Sequence, residues 1–245
     1  MSGARRFFAE NIEIGAETEL VGEEFEHAKN VLRIGVGDEV ILLGQDGLEY
    51  SAVCCAVQKK SLKFHVLSAQ EGGREAASEI TLIFGYLKNA DKNEFIVQKA
   101  VELGVKKIVA FSSAYSSAYM NENKLERLNK VSREAAKQCL RSVAPKVVYC
   151  PDFSSALKEG ADAENKLFAC EFALKSEKNI ASLCGSTAIV VGSEGGFSET
   201  EASQASEQGF AKITLGKRIL RAETAAVALT AVVAFALGEL GEVAP

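Results

Sequence analysis

Two short loops between residues 188 and 225 carry the residue types that a ligand-binding site needs. The first loop, residues 192–196, reads G-S-E-G-G and follows a short apolar run. Ser198 and Glu201 come next in S-x-x-E spacing, the capping box that begins a helix. The second loop, residues 216–221, reads G-K-R-I-L-R and leads into an alanine-rich segment. Because each loop joins a strand-like run to a helix start, we expect both to frame one ligand at the carboxyl ends of parallel strands.

The charges of these loops restrict the ligand. Neither loop contains the Walker A pattern, and neither has the G-x-G-x-x-G pattern of a dinucleotide site followed by an acidic residue. Glu194 and Glu223 would repel a phosphate, whereas a cationic or zwitterionic ligand would tolerate both. The alternative is a pair of tight turns whose glycines only supply positive φ angles, and neither turn alone decides between the two interpretations.

Together, the two loops resemble the signature of the RsmE family, bacterial methyltransferases of the SPOUT superfamily. The matching motifs are G-x-E-G-G-F-S-x-x-E and L-G-x-R-I-L-R-x-E-T-A. Further matches extend over nearly the whole chain and lie at residues 5–8, 27–33, 98–105 and 133–141. One departure is Ser193, where the family usually has proline, so we expect the first loop to be less rigid here.

The resemblance implies an S-adenosylmethionine-dependent enzyme that methylates N3 of a uridine in 16S ribosomal RNA of the small ribosomal subunit. It implies an α/β fold with a SPOUT-type parallel sheet and a C-terminal trefoil knot, preceded by a small N-terminal β-barrel of the PUA-like type. We place the RNA-binding barrel at residues 1–72 and the methyltransferase domain at residues 73–245. A homodimer that acts in rRNA processing and ribosome biogenesis is implied as well.

The resemblance also carries over to individual residues. Those implied in cofactor binding are Gly192, Ser193, Glu194, Gly195, Gly196, Leu215, Gly216, Ile219, Leu220, Glu223, Thr224 and Ala225. Those implied in RNA binding are Arg5, Arg6, Arg33, Lys88, Lys92, Lys130, Arg133, Lys137 and Arg141. A guanidinium would stabilise the charge that develops on uracil as its N3 proton leaves. The catalytic candidates for that role are Arg5, Arg6 and Arg221, and the sequence identifies no general base.

Charge and cysteine content limit the partners. The formal net charge of −5 argues by itself against a nucleic-acid partner, although a local patch still binds phosphates. A basic helix face is predicted from the spacing of Lys130, Arg133, Lys137 and Arg141; an ordinary solvated face interleaved with Glu134 is the alternative. The six cysteines form no C-x-x-C pair and only two histidines are present, so we expect no metal site and a reducing compartment.

The apolar segments predict a cytoplasmic protein without a membrane span. The first residues lack an apolar signal region. The most apolar segment, residues 225–237, is shorter than the roughly 20 residues that a span requires. That segment is predicted to be a helix whose apolar face packs either on its own domain or on a second copy of the chain.

The elements that position the loops change type near residue 70. Before that point, short strands are predicted at residues 39–43, 50–57 and 62–67, with Asp46-Gly47 as a hairpin turn. From residue 80, strands alternate with helices, which predicts a parallel sheet covered by helices. The predicted strands are residues 80–87, 108–111, 147–149, 167–172, 188–191 and 212–215. The predicted helices include residues 91–103 and 123–140, and a short helix that begins at Asp152.

Two other functions fit parts of the pattern. A SPOUT methyltransferase that acts on a ribose 2′-hydroxyl of transfer or ribosomal RNA would share the loops, although the N-terminal barrel and the second motif argue against it. A non-catalytic RNA-binding protein of ribosome assembly would share the basic segments. Binding of S-adenosylmethionine separates the enzymes from the binder, which does not need it.

Overall fold

A computed structural model describes residues 5–116, 119–170 and 175–241. The chain divides into two compact units, which are described separately. The first comprises Met1–Glu75 with Ala136–Ala144, and the second comprises Ala76–Ala135 with Pro145–Pro245. No signal in the sequence indicates that residues 136–144 group with the first unit.

The first unit contains a five-stranded sheet in the order β1-β3-β4-β5-β2. Its strands are β1 (Arg6–Phe8), β2 (Glu17–Val21), β3 (Glu39–Leu43), β4 (Leu48–Val57) and β5 (Ser61–Glu71). All neighbours pair antiparallel except β1 and β3, which are parallel. The three strands predicted from sequence and the Asp46-Gly47 turn between β3 and β4 are confirmed. The sequence did not indicate β1, β2, helix α1 (Gly22–Glu26) or the π-helical turn His27–Val31.

Alternation along these strands builds the core of the first unit. In β2 the odd positions are exposed and the even positions are buried, so one face of the sheet is apolar. The fully buried Phe7, Leu42 and Phe64 meet on that face, and Phe25 of α1 packs against it. This small core explains how strands as short as β1 are held.

The second unit contains a six-stranded sheet in the order β11-β9-β10-β6-β7-β8. Its strands are β6 (Ile80–Gly85), β7 (Lys107–Phe111), β8 (Val147–Cys150), β9 (Asn165–Ala169), β10 (Thr187–Val191) and β11 (Ala211–Ile213). Every pair is parallel, which confirms the predicted sheet type. The predicted end of β9, residues 171 and 172, lies outside the described residues.

Helices alternate with these strands: α2 (Ala90–Glu102), α3 (Glu122–Gln138), α4 (Phe153–Lys158), α5 (Glu199–Glu207) and α6 (Ala222–Ala236). The predicted starts are confirmed for α4, where the Asp152 side chain accepts from the Ser155 N–H, and for α6. The predicted end of α3 at Leu140 is wrong. The helix ends at Gln138, and Leu140 adopts a left-handed φ of 66° that helix geometry excludes.

Aromatic rings fill the core of the second unit beneath the loops. Phe197 packs on Phe168 with 4.4 Å between ring centroids, and on Phe153 with 5.3 Å. The Phe197–Phe153 distance lies within the range of favourable aromatic pairs, and the Phe197–Phe168 distance lies at its lower limit. Because Phe197 lies between the first loop and α5, this packing anchors the loop to the sheet. Among the described helices, none combines the length and the apolar character of a membrane span.

Candidate cofactor-binding site

The first predicted loop follows β10 directly. The Gly196 N–H donates to the Ser193 carbonyl over 3.0 Å and closes the turn. Gly196 has a φ of 68°, in the left-handed region that favours glycine. Helix α5 then begins with the predicted capping box: the Ser198 side chain accepts from the Glu201 N–H, and the Glu201 carboxylate accepts from the Ser198 N–H. The sequence motif is therefore confirmed as a strand-turn-helix junction.

Missing Cβ atoms allow neighbouring backbones to pack against this turn. A Cβ on Gly85, the last residue of β6, would lie 2.4 Å from the Ser193 nitrogen. A Cβ on Gly195 would lie 2.7 Å from the Cβ of Tyr115, and one on Gly192 would lie 2.9 Å from the Phe197 ring. Real Cβ atoms do not approach other atoms so closely, so these glycines are required where they stand. The turn is held at a fixed place over the ends of β6 and β10.

The loop after β7 supports the same turn through side chains. The Ser113 Oγ lies 3.0 Å from the Ser193 Oγ, and both residues are buried. Ser113 is held in turn by Ser116, whose Oγ lies 3.0 Å from the Ser113 Oγ and accepts from the Ser113 N–H. Glu201 is 5% exposed, and its second carboxylate oxygen accepts from the Ala114 N–H over 2.8 Å. One buried carboxylate thus caps α5 and ties the loop after β7 to it.

The loop after β6 is rigid because of one buried amide. Asn93 is fully buried; its Nδ2 donates to the carbonyls of Leu87 and Asn89, and its Oδ1 accepts from the Leu87 N–H. Within this loop, the Lys88 N–H donates to Glu194 of the turn over 3.3 Å. The loops after β6, β7 and β10 therefore form one hydrogen-bonded assembly.

The second predicted loop follows β11. The Thr214 hydroxyl accepts from the Gly216 N–H, and Gly216 has a φ of 103°. Ile219 is 93% exposed, the highest value among the exposed large apolar side chains of the described residues. Leu215 and Leu220 are half-buried. An apolar ligand surface packed against Ile219 would bury this side chain.

Helix α6 places a carboxylate at the end of the second loop. Glu223 pairs with Lys92 of α2 at 3.0 Å, and its other oxygen, Oε2, is buried with no hydrogen-bond partner among the described residues. Burial acts to raise the pKa of Glu223, but the hydrogen bonds from its own backbone N–H and from Lys92, with the charges of Lys92 and Arg221, outweigh it and lower the pKa. An ionised carboxylate with a spare buried acceptor needs a donor.

These features fit S-adenosylmethionine. Nothing lies within 4 Å of a Cβ placed on Gly216, so a ligand can approach the backbone of the second loop. The exposed Ile219 offers an apolar cover, and Glu223 Oε2 can accept a hydrogen bond from a hydroxyl or ammonium group. The negative charge of Glu223 also suits a sulfonium cation. Thr224 is exposed and Ala225 is half-buried, both in the first turn of α6. No cluster of histidine, cysteine and carboxylate side chains able to hold a metal ion occurs in the described ranges.

The arginines proposed for catalysis lie in both units. In the first unit, Arg5 pairs with Asp38 at 3.3 Å, and Arg6 pairs with Glu49 at 2.5 Å. The Arg6 side chain is only 9% exposed, and its Nε has no hydrogen-bond partner among the described residues. Arg221 in the second unit is exposed at the residue before α6. The structure thus gives Arg6 a structural ion pair and leaves Arg221 accessible.

The predicted basic helix face does not exist as one surface. Arg141 lies beyond the end of α3, so it cannot share a helix face with Lys130 and Arg133. The Arg141 guanidinium is buried against Glu75 at 2.9 Å, and the Lys137 ammonium is buried against Glu24 at 2.9 Å. Helical periodicity shows which residues share a face, but it does not show which carboxylates from elsewhere in the chain meet them. Both side chains therefore bind carboxylates within the first unit.

Other predicted RNA-binding residues are accessible. Lys88 is exposed, and Lys130 and Arg133 are half-buried on α3. Arg33 is exposed and has a φ of 53°, a backbone conformation that non-glycine residues rarely adopt. Sequence reasoning missed Ser113, Tyr115 and Asn93, which hold or contact the site. A serine-rich stretch straight after a buried strand is the signal that marks the first two.

Comparison with known proteins agrees with both units. Residues 20–67 match the sequence family described as RNA methyltransferase PUA domain, and residues 74–234 match the RNA methyltransferase domain. The predicted PUA-like domain is thereby confirmed.

Relatives match over most of their length. The Ribosomal RNA small subunit methyltransferase E of Bacillus subtilis is 33% identical over 237 residues, 90% of this chain and 92% of the relative. The protein of the same name in Mesomycoplasma hyopneumoniae is 37% identical over 172 residues, 69% of this chain and 75% of the relative. The crystal structure of the Neisseria gonorrhoeae protein of that name, bound to S-adenosyl methionine, superposes with a TM-score of 0.84 and 29% identity, covering 96% of this chain and 98% of that one.

Proposed function

Because the chain belongs to the ribosomal RNA small subunit methyltransferase E family, we propose that it transfers a methyl group from S-adenosylmethionine to 16S ribosomal RNA. The acceptor we propose is N3 of a uridine. The observation that carries the proposal is the buried oxygen of Glu223 that has no hydrogen-bond partner among the described residues. Glu223 lies at the end of the second glycine loop, and the chain also contains the first glycine loop of the family signature.

The two loops would hold the cofactor through their main chain. The turn at residues 192–196 is positioned by Gly85, Ser113 and Glu201, so its backbone groups are arranged before the ligand arrives. Bound S-adenosylmethionine supplies an electrophilic methyl group on a sulfonium. Glu223 offsets that positive charge, while Ile219 and Leu220 cover the ligand.

The chain's own residues must orient uracil and stabilise its charge. Loss of the N3 proton leaves negative charge on N3 and on the two carbonyl oxygens of uracil, and this charge is consumed as N3 forms its bond to the methyl carbon. Arg221 is exposed beside Glu223, and its guanidinium would stabilise that charge. Arg5 and Arg6 would act in the same way only if their pairs with Asp38 and Glu49 open on RNA binding.

We propose a cytoplasmic homodimer with a trefoil knot in the second unit. Val232 and Phe235 of α6 are 45% and 67% exposed, and a second copy of the chain would cover them. The RNA of the small subunit would contact Arg33, Lys88, Lys92, Lys130 and Arg133. Lys137 and Arg141 would join only after leaving Glu24 and Glu75.

Calorimetric titration with S-adenosylmethionine, followed by methylation of small-subunit particles from cells that lack the protein, tests the proposal. We expect binding, and N3-methyluridine in the digested 16S RNA. A 2′-O-methylated nucleoside would support the other SPOUT activity instead. Particles that bind the protein although no cofactor binds would support a non-catalytic assembly role.

A further inference from the structure

The loop after β7 presents an aromatic ring beside the first glycine turn. Tyr115 is 59% exposed, although its backbone packs against Gly195: a Cβ on that glycine would lie 2.7 Å from the Tyr115 Cβ and 3.2 Å from its carbonyl oxygen. A large aromatic side chain next to a binding turn and open to solvent is available to a ligand.

The exposure does not arise from a loose loop. On one side of Tyr115, the Ala114 N–H is bound to the buried Glu201. On the other side, the Ser116 N–H donates to the Ser113 carbonyl over 3.0 Å, and the Ser113 hydroxyl is bound to Ser193 of the turn. The residues on both sides of Tyr115 are thus attached to the cofactor turn and its helix, and these bonds hold the backbone from which the ring projects.

The strand order separates this ring from the second glycine loop. The first glycine turn follows β10, which has β9 and β11 on one side and β6 and β7 on the other. The second loop follows β11 on one side, whereas Tyr115 follows β7 on the other. Tyr115 and the second glycine loop therefore follow strands on opposite sides of β10.

We propose that Tyr115 is the platform on which the unpaired pyrimidine base of the RNA stacks as it meets the cofactor turn. This inference rests on the proposed function and names a residue that determines how the acceptor is held. Proteins that recognise unpaired RNA bases commonly stack them on aromatic side chains. Lys88, exposed in the adjacent loop and joined through its N–H to Glu194, is placed to meet a phosphate of the same strand.

Steady-state methylation of small-subunit particles tests the proposal. Tyr115→Ala should raise the KM for the particles about tenfold, the size expected for loss of one base–aromatic stack. Tyr115→Phe keeps the ring and should have the KM of the parent. The affinity for S-adenosylmethionine should not change in either variant. Tyr119→Ala removes another exposed tyrosine and serves as the matched control. An unchanged KM in Tyr115→Ala, or an equal rise in the control, would overturn the proposal.

A binding measurement that needs no catalysis separates this inference from the proposed function. The chain has no tryptophan, so Tyr115→Trp introduces a single tryptophan, whose fluorescence can be excited selectively over that of the remaining tyrosines. An RNA hairpin with unpaired uridines in its loop should quench that fluorescence, whereas S-adenosylmethionine alone and a fully paired duplex should not. Quenching by the cofactor alone would show that the ring covers the cofactor and would refute the base platform. Loss of methylation in the parent enzyme would refute only the proposed function.

Discussion

The hydroxyl groups of Ser113 and Ser193 lie 3.0 Å apart in a buried contact that joins the loop after β7 to the cofactor turn. Ser193 stands where the resemblance of the first loop to the family signature predicts a proline. A proline restrains the backbone of its own residue, whereas this hydrogen bond restrains the turn by attaching it to a second loop. The chain thus stabilises the same turn by a different physical means.

A double-mutant cycle on Ser113→Ala and Ser193→Ala should give a coupling energy of about 0.5–1.5 kcal/mol, the usual net value of one hydrogen bond. Ser113→Ala should destabilise more than Ser193→Ala, because Ser113 still has Ser116 as a partner when Ser193 is lost. Thermal unfolding of the four proteins measures both effects. Strictly additive changes would show that the two hydroxyls do not interact.

Ser193→Pro should give little net change in the parent, because two effects oppose each other. A compatible proline stabilises by about 0.4–1 kcal/mol, while loss of the Ser113 hydrogen bond costs a similar amount. In the Ser113→Ala background no hydrogen bond remains to be lost, so the same substitution should raise the melting temperature. A lower melting temperature in that background would mean that the turn has a backbone unsuited to proline.

Gly85→Ala should displace the cofactor turn, because its Cβ would lie 2.4 Å from the Ser193 nitrogen. Overpacking of this kind costs about 1–3 kcal/mol, and we expect the affinity for S-adenosylmethionine to fall along with the melting temperature. Gly73→Ala is the matched control, since nothing lies within 4 Å of its Cβ. Calorimetric titration of both variants measures their affinity for S-adenosylmethionine. An unaltered affinity in Gly85→Ala would show that the position of the turn does not affect cofactor binding.

The pair of Lys92 and Glu223 predicts a pH effect on stability. The folded-state pKa of Glu223 is lowered, so its stabilising contribution is present above the ordinary glutamate pKa of about 4.3 and is lost as the pH falls through the lower folded value. Glu223→Gln should therefore lower the melting temperature at pH 6 and have less effect near pH 3.5. Glu199→Gln, an exposed glutamate in the first turn of α5, is the control. A difference that does not vary with pH would contradict the charge effect.

The accessible part of α3 predicts the salt dependence of RNA binding. Each phosphate contact removed should lower the slope of log affinity against log salt by about 0.7–0.9. Arg133→Ala should do so and leave cofactor affinity unchanged. Arg141→Ala is unsuitable as a partner mutation, because it leaves Glu75 without its buried guanidinium and destabilises the first unit. Binding of Arg133→Ala to small-subunit particles with an unchanged salt slope would exclude this residue from the RNA path.

The sequence predicted those features that depend on local pattern. Short apolar runs predicted the strands of the second sheet and three of the five strands of the first. The S-x-x-E spacing predicted the capping box at Ser198, and α2 ends just before Gly104, which has a φ of 83°. The strand β2 escaped prediction because only Thr18 and Leu20 are buried in its five residues, too few to show a period.

Contacts between distant segments were beyond the sequence. Lys137 and Arg141 have helical spacing, yet their carboxylate partners Glu24 and Glu75 lie far away in the chain. Likewise, Ser113 became part of the cofactor site only because β7 and β10 both lie next to β6. Periodicity contains no information on which loops meet in space.

The all-parallel order of the second sheet has a consequence for synthesis of the protein. Thr187 of β10 pairs with Ile80 of β6, and the short edge strand β11 pairs with β9 across the whole of β10 and α5. Pairings between segments so far apart have a high contact order and form slowly. A nascent chain still attached to its ribosome cannot complete the sheet until β11 has emerged. We therefore expect chains that stop before β11 to bind no cofactor, because they lack the second glycine loop and Glu223.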